Sequence, residues 1–134
     1  MNSLIRNEVH LKQIVDFTGL QNRKIYPSDI DSVLEFDNKF LILMEFKKDN
    51  ANIPLGQELL LQRICNSWEK SDTDKQCVIL KISHSFTDTI YAKDCNVTKI
   101  YKDKKWFTTN MNLKDCLIKL GIKWNCQKLK NIEV

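Results

Sequence analysis

Apolar positions along this chain recur with two different periods, and the change of period marks out the elements. Leu4, Ile5, Val9, Leu11, Ile14, Val15 and Phe17 follow three- and four-residue spacing, the stripe of an amphipathic helix over about 2–18. Asn2 or Ser3 can cap its start, and Gly19 is placed to stop it. Residues 20–28 form a polar connector carrying Arg23 and Lys24, in which Pro27 pushes Tyr26 into an extended conformation. Residues 31–36 and 40–47 then read as two strands joined at Asp37-Asn38-Lys39, a turn sequence that predicts an antiparallel hairpin. Phe40 to Met44 is apolar at every position, so the second strand is predicted to be central in its sheet and covered on both faces. A polar loop, 48–54, separates it from a helix over about 55–69 whose core stripe is Leu60, Leu61, Ile64, Cys65 and Trp68.

The remaining pattern is shorter in period. QCVILKIS, 76–83, reads as a second buried strand, reached through a helical crossover and so predicted parallel to a neighbour; His84 stands at its end. Residues 87–91 and 96–101 are β-branched and aromatic, which predicts short strands or a hairpin. Lys102-Asp103-Lys104-Lys105 is a charged turn. Asn112, with Asp115 three residues on, opens a last amphipathic helix on Leu113, Cys116, Leu117 and Leu120, expected to stop at Gly121. Beyond Trp124 the polar tail is expected to fray. The order of elements predicts one α/β domain over 1–134: a central mixed sheet flanked by helices, the first helix lying on the face of strand 40–47.

Composition narrows the classes of function. A chain of 134 residues is long enough for one core. Three Gly and two Pro argue against long flexible linkers or a repetitive low-complexity protein. The charged N-terminus lacks the apolar stretch of a secretory signal, and the longest apolar run is far short of a membrane span, so a soluble, intracellular, cytoplasmic protein is expected. Five cysteines without a C-x-x-C pair, and two distant histidines, argue for free buried thiols over a zinc site or a disulfide framework. Charge is unevenly spread: 99–134 holds nine lysines and three acids, a net of +6, whereas 1–98 is net −2. A basic C-terminal region of that kind fits a phosphate-rich partner, and equally a solvated lysine face.

The hairpin has a chemical consequence. Glu45 and Lys47 share one face of their strand, and antiparallel pairing brings Asp31 beside them. Two carboxylates and one ammonium then converge. Such oxygens suit Mg²⁺ or Mn²⁺, which keep coordination positions for water and substrate phosphate, and a nearby lysine can position a water or stabilise phosphoryl charge. Asp29 shares a face with Asp31 if this stretch is extended, and can instead accept hydrogen bonds within the turn. The competing reading is that Asp31 caps a turn while Glu45 and Lys47 are solvated residues at a strand end.

Asp31 followed after thirteen residues by Glu45-Phe46-Lys47 resembles the PD-(D/E)XK, restriction-endonuclease-like nuclease superfamily. With Ser28-Asp29-Ile30-Asp31 and Gly56-Gln57, the pattern is similar to a group of small nuclease-like proteins of phages and mobile elements, over roughly residues 5–107. Ser32 departs from the small residue, often glycine, expected after the second aspartate. The resemblance implies a restriction-endonuclease-like core and hydrolysis of phosphodiester bonds, in DNA ahead of RNA. It implies Asp31, Glu45 and the Phe46 carbonyl as metal ligands, Lys47 as the group that positions water, and Gln57 as a supporting residue. Glu8 on the first helix and Asp29 would be additional ligands, and a homodimer would cut both strands. Lys102, Lys104, Lys105, Lys114 and Lys119 are the expected grip on the nucleic-acid backbone. A different class of function remains open: a phage-type protein that binds or inhibits a host defence or nucleic-acid-processing factor and keeps the fold without catalysis.

Overall fold

Asp37 and Asn38 both adopt left-handed backbone angles, φ 57° and 56°, a region that Asx residues enter more readily than most. They reverse the chain between β1 (Ser32–Phe36) and β2 (Phe40–Lys48), which pair antiparallel with Ser32 opposite Met44 and Phe36 opposite Phe40. This computed structural model describes residues 15–20, 23 and 27–132. The helix expected over 2–18 falls mostly outside the described residues, as do its packing on the sheet, Glu8, Lys24 and Tyr26. Its expected last residues, 15–18, take no helical conformation. There Asp16 accepts hydrogen bonds from the Thr18 N–H and hydroxyl, 2.9 and 2.6 Å away, a local contact that competes with a helical turn.

From β2 the chain crosses over through α1 (Leu55–Lys70) to β3 (Gln76–His84), which pairs parallel with β2: Leu41 lies opposite Cys77 and Glu45 opposite Lys81. A 3₁₀ turn, Ala92–Asp94, precedes β4 (Asn96–Lys102), β5 (Lys105–Asn112), α2 (Leu113–Trp124) and α3 (Gln127–Lys130). The sheet order is β1-β2-β3-β4-β5, with β2–β3 parallel and the other pairings antiparallel. The protein is thus an α/β domain with a five-stranded mixed sheet flanked by helices.

Alternation along the central strands explains both layers. Leu41, Leu43, Cys77, Ile79 and Tyr101 point to one face and pack with Leu61, Cys65 and Trp68 of α1. Ile42, Met44, Val78, Leu80, Ile82 and Val97 point to the other and meet Leu113, Cys116, Leu117 and Leu120 of α2, with Leu129 of α3. All five cysteines are free and buried. No helix among the described residues is long and apolar enough to cross a membrane.

Three sequence expectations change. Residues 87–91 form no strand. The hairpin instead joins β4 to β5 through Asp103 and Lys104, both at left-handed φ (51° and 63°), and β3 and β5 occupy both edges of β4. No edge of β4 is therefore left for 87–91 to pair with. Gly121 does not end α2, which continues to Trp124 and stops at Asn125, φ 52°. The tail does not fray over 126–130: Cys126 and Leu129 are buried and α3 docks on α2.

Candidate active site

The ladder between β1 and β2 opens at Ser32–Met44, so Asp31 lies just outside it, level with Glu45. Its carboxylate takes the place of a missing strand partner: Asp31 Oδ2 accepts from the Phe46 N–H at 2.8 Å. In return, Glu45 Oε1 accepts from the Asp31 N–H at 3.3 Å. A residue's N–H and C=O share one strand edge, so the Phe46 carbonyl also points beyond the end of β1. Lys47, two residues from Glu45 on the same face, places Nζ 3.7 Å from Glu45 Oε2.

Glu45 is the unusual member. It is fully buried, and among the described residues its Oε2 has no hydrogen-bond partner. Burial pushes its carboxyl up to about 6, the negative charge of Asp31 adds to the rise, and the Asp31 N–H and Lys47 act against it. Two oxygen donors from Asp31 and Glu45, together with the Phe46 carbonyl, are what the arrangement offers a hard divalent cation. Among the described residues no group of three or more His, Cys, Asp or Glu side chains comes together in a way that would hold a metal by itself.

Gln57, in the first turn of α1, reaches back across the site's margin. Its Nε2 donates to the Asp29 carbonyl at 3.0 Å, tying the approach to β1 onto the helix. Asp29 itself is exposed. His84 is level with Lys48 on the neighbouring strand; its Nδ1 accepts from the Phe86 N–H at 3.1 Å, a local structural contact.

Sequence reasoning missed the continuation of this row. Lys81 lies opposite Glu45, and Lys99 of β4 lies opposite Lys81, on the face that carries α1. Lys81 is 3% exposed. Burial lowers its ammonium from the ordinary lysine range, and Lys99 and Lys47 lower it further. The signal was legible: a single charge within the apolar run CVILKI. Lys81, Lys99 and Trp106 line an open cavity of about 340 Å³ together with Asn52, Ile53, and Leu55 and Glu58 of α1.

The other expected cations lie elsewhere. β4 runs antiparallel to β3, so the Lys102–Lys105 turn lies beyond the Lys81–Lys99 row in the direction away from the C-terminal ends of β2 and β3. Lys104 lines a second cavity, of about 510 Å³, with Arg63 and Lys70 of α1. Lys114 and Lys119 are on α2, whose core residues pack on the opposite face of the sheet. The structure therefore gathers Asp31, Glu45, Phe46 and Lys47, braces them through Gln57, and leaves the five lysines at a distance. Comparison with protein-family models, with curated proteins and with solved structures returned no match.

Proposed function

We propose that the chain is a metal-dependent nuclease that hydrolyses phosphodiester bonds, in DNA ahead of RNA, of the PD-(D/E)XK kind that its sequence resembles. The observation that carries the reading is the fully buried Glu45 carboxylate, with one oxygen lacking a hydrogen bond, beside the carboxylate of Asp31. Burial and like charge both disfavour ionised Glu45, and a divalent cation between the pair would reverse both effects. Asp31 and Glu45 would hold Mg²⁺ or Mn²⁺ with the Phe46 carbonyl. Bound there, the ion would supply Lewis-acid polarisation of a phosphate oxygen and a more acidic water.

The chain's own groups account for the rest. Lys47 Nζ, beside Glu45 Oε2, is positioned to donate a hydrogen bond to the attacking water and to stabilise negative charge gathering on the phosphoryl oxygens. Gln57 holds Asp29 and so fixes the approach to Asp31. Rigidity comes from β2, a strand buried on both faces, which limits the drift of Glu45 and Lys47.

The test is a panel of labelled duplex, single-stranded, branched and RNA substrates with Mg²⁺, Mn²⁺ or EDTA. Asp31→Asn and Lys47→Ala are expected to abolish cleavage while leaving the circular dichroism spectrum unchanged, and undiminished cleavage by either would remove the assignment. Calorimetry separates the alternative of a non-catalytic binding protein. The nuclease reading expects Mn²⁺ binding that is lost in Asp31→Asn and Glu45→Gln, and the alternative expects none.

A further inference from the structure

Packing does not explain why β3 carries a lysine at position 81. Long cationic side chains are almost never fully buried without a counter-charge, yet Lys81 is 3% exposed and has no carboxylate within 4.0 Å among the described residues. Its one hydrogen bond there, to the Asn50 carbonyl at 3.3 Å, uses one of the ammonium's three donors. Lys99, directly opposite on β4, also lacks an ion pair among the described residues. Like charges directly opposite on paired strands repel. The third donor of the same cavity is equally unused: Trp106 Nε1 is buried with no acceptor among the described residues. Glu58, the one carboxylate in the lining, offsets one of the two positive charges and leaves a surplus.

Lys81 with donors to spare, Lys99 without an ion pair among the described residues and Trp106 with an unpartnered N–H thus line one cavity whose charge is net positive. It begins one strand from Glu45, about 5 Å at the usual strand spacing. We propose that this cavity is an oxyanion subsite in which Lys81, Lys99 and the Trp106 N–H hold a non-scissile phosphate of the nucleic-acid strand whose neighbouring phosphate lies at Asp31 and Glu45. The proposal rests on the nuclease reading for what lies next door. It also explains how an acidic pair attracts a polyanion: the cations that offset it occupy the same row of the sheet. Each lysine contacts phosphate and not a base edge, so the subsite grips the strand without reading its sequence.

Binding in EDTA tests the subsite apart from catalysis. Fluorescence anisotropy of a short labelled single-stranded DNA, titrated over a range of KCl concentrations, would be compared across variants. Lys81→Met keeps the side chain's apolar stem and removes the buried charge, so it is expected to fold at least as stably as the parent; Lys99 is exposed and Lys99→Gln should fold normally. Each is expected to weaken binding alike for all sequences and to lower the slope of log K against log salt by about 0.7 to 1. Trp106→Phe, which keeps a ring and removes the N–H, is expected to weaken binding with the slope intact. Unaltered slopes in both lysine variants overturn the subsite, whether or not the parent cleaves. Lowered slopes in a protein that cleaves nothing retain the cavity as a strand-binding site and remove the nuclease reading instead. Inorganic phosphate binding as tightly as the oligonucleotide, in a Lys99-dependent way, would assign the cavity to a free anion and overturn its place on a strand.

Discussion

Burial and the charge of Asp31 act in the same direction on Glu45, and their joint effect has a sign that stability measurements can read. The carboxyl titrates near 4.5 when exposed and near 6 in the fold. The folded state therefore holds its proton more tightly than the unfolded state between those values. Stability contributed by this group is fully present below about pH 4.5, is lost as pH rises through 6, and is flat above. The difference corresponds to about 2 kcal/mol at the usual conversion of pKa to free energy. With a chelator present, Glu45→Gln is expected to remove this part of the pH dependence and to raise the melting temperature at pH 8. A variant that melts lower than the parent at pH 8 would show that the buried charge is compensated by something other than a metal. The same substitution would cost the protein its proposed activity, the exchange of stability for function expected where a charge is buried for chemistry.

At the scale of elements, the join of α2 to α3 is the most exacting contact. A glycine within a helix ordinarily costs about 1 kcal/mol relative to alanine, so its replacement should stabilise. Position 121 reverses that sign. A methyl group there would overlap the Lys130 backbone nitrogen and come within 2.7 Å of Lys130 Cα and 2.9 Å of the Leu129 carbonyl carbon. Backbone cannot move aside as a flexible side chain would. Gly121→Ala is expected to lose about 1 to 3 kcal/mol in urea denaturation, the range found for overpacked interiors, through release of α3 and exposure of Leu129. A gain in stability would mean that α3 does not dock as described. Docking also explains a long-range ion pair: Lys128 of α3 meets Asp37 of the β1–β2 turn at 2.6 Å, so this lysine is occupied.

For the whole molecule the question is how far the basic surface extends from the carboxylates. Lys102 to Lys105 begin three residues beyond Lys99, about 10 Å along a strand, and Lys104 shares its cavity with Arg63 and Lys70. A nucleic acid held at Asp31 and Glu45 would meet this turn only if it continued along α1. Changing Lys102, Lys104 and Lys105 together to Gln is expected to flatten the salt slope for a long duplex by roughly two to three units, at about 0.9 per phosphate contact. Binding of a short oligonucleotide that fills only the site should be untouched, as should the cleavage rate of bound substrate. An unchanged slope on the long duplex would leave those lysines as a solvated face.

Local patterns in the sequence determined the elements that make the site. Two runs apolar on both faces, 40–44 and 77–80, could only be interior strands, and an Asx turn at 37–38 set the register that puts Asp31 level with Glu45. Period-two alternation then placed Lys47 on the Glu45 face, and the Asn112 side chain caps α2 as its position implied, accepting from the Lys114 N–H at 3.0 Å. Tertiary structure alone decided the rest. The register of β3 against β2 is set across a sixteen-residue helix, so no local period reveals that Lys81 faces Glu45, nor that β4 brings Lys99 into the same row. The end of α2 differs from the sequence expectation for a similar reason. Gly121 looks like a stop in the sequence, but it is small because the backbone of α3 lies against it. Turns and alternation act between residues close in the chain and can be read from it; contacts across a crossover or between docked helices depend on where whole elements come to rest.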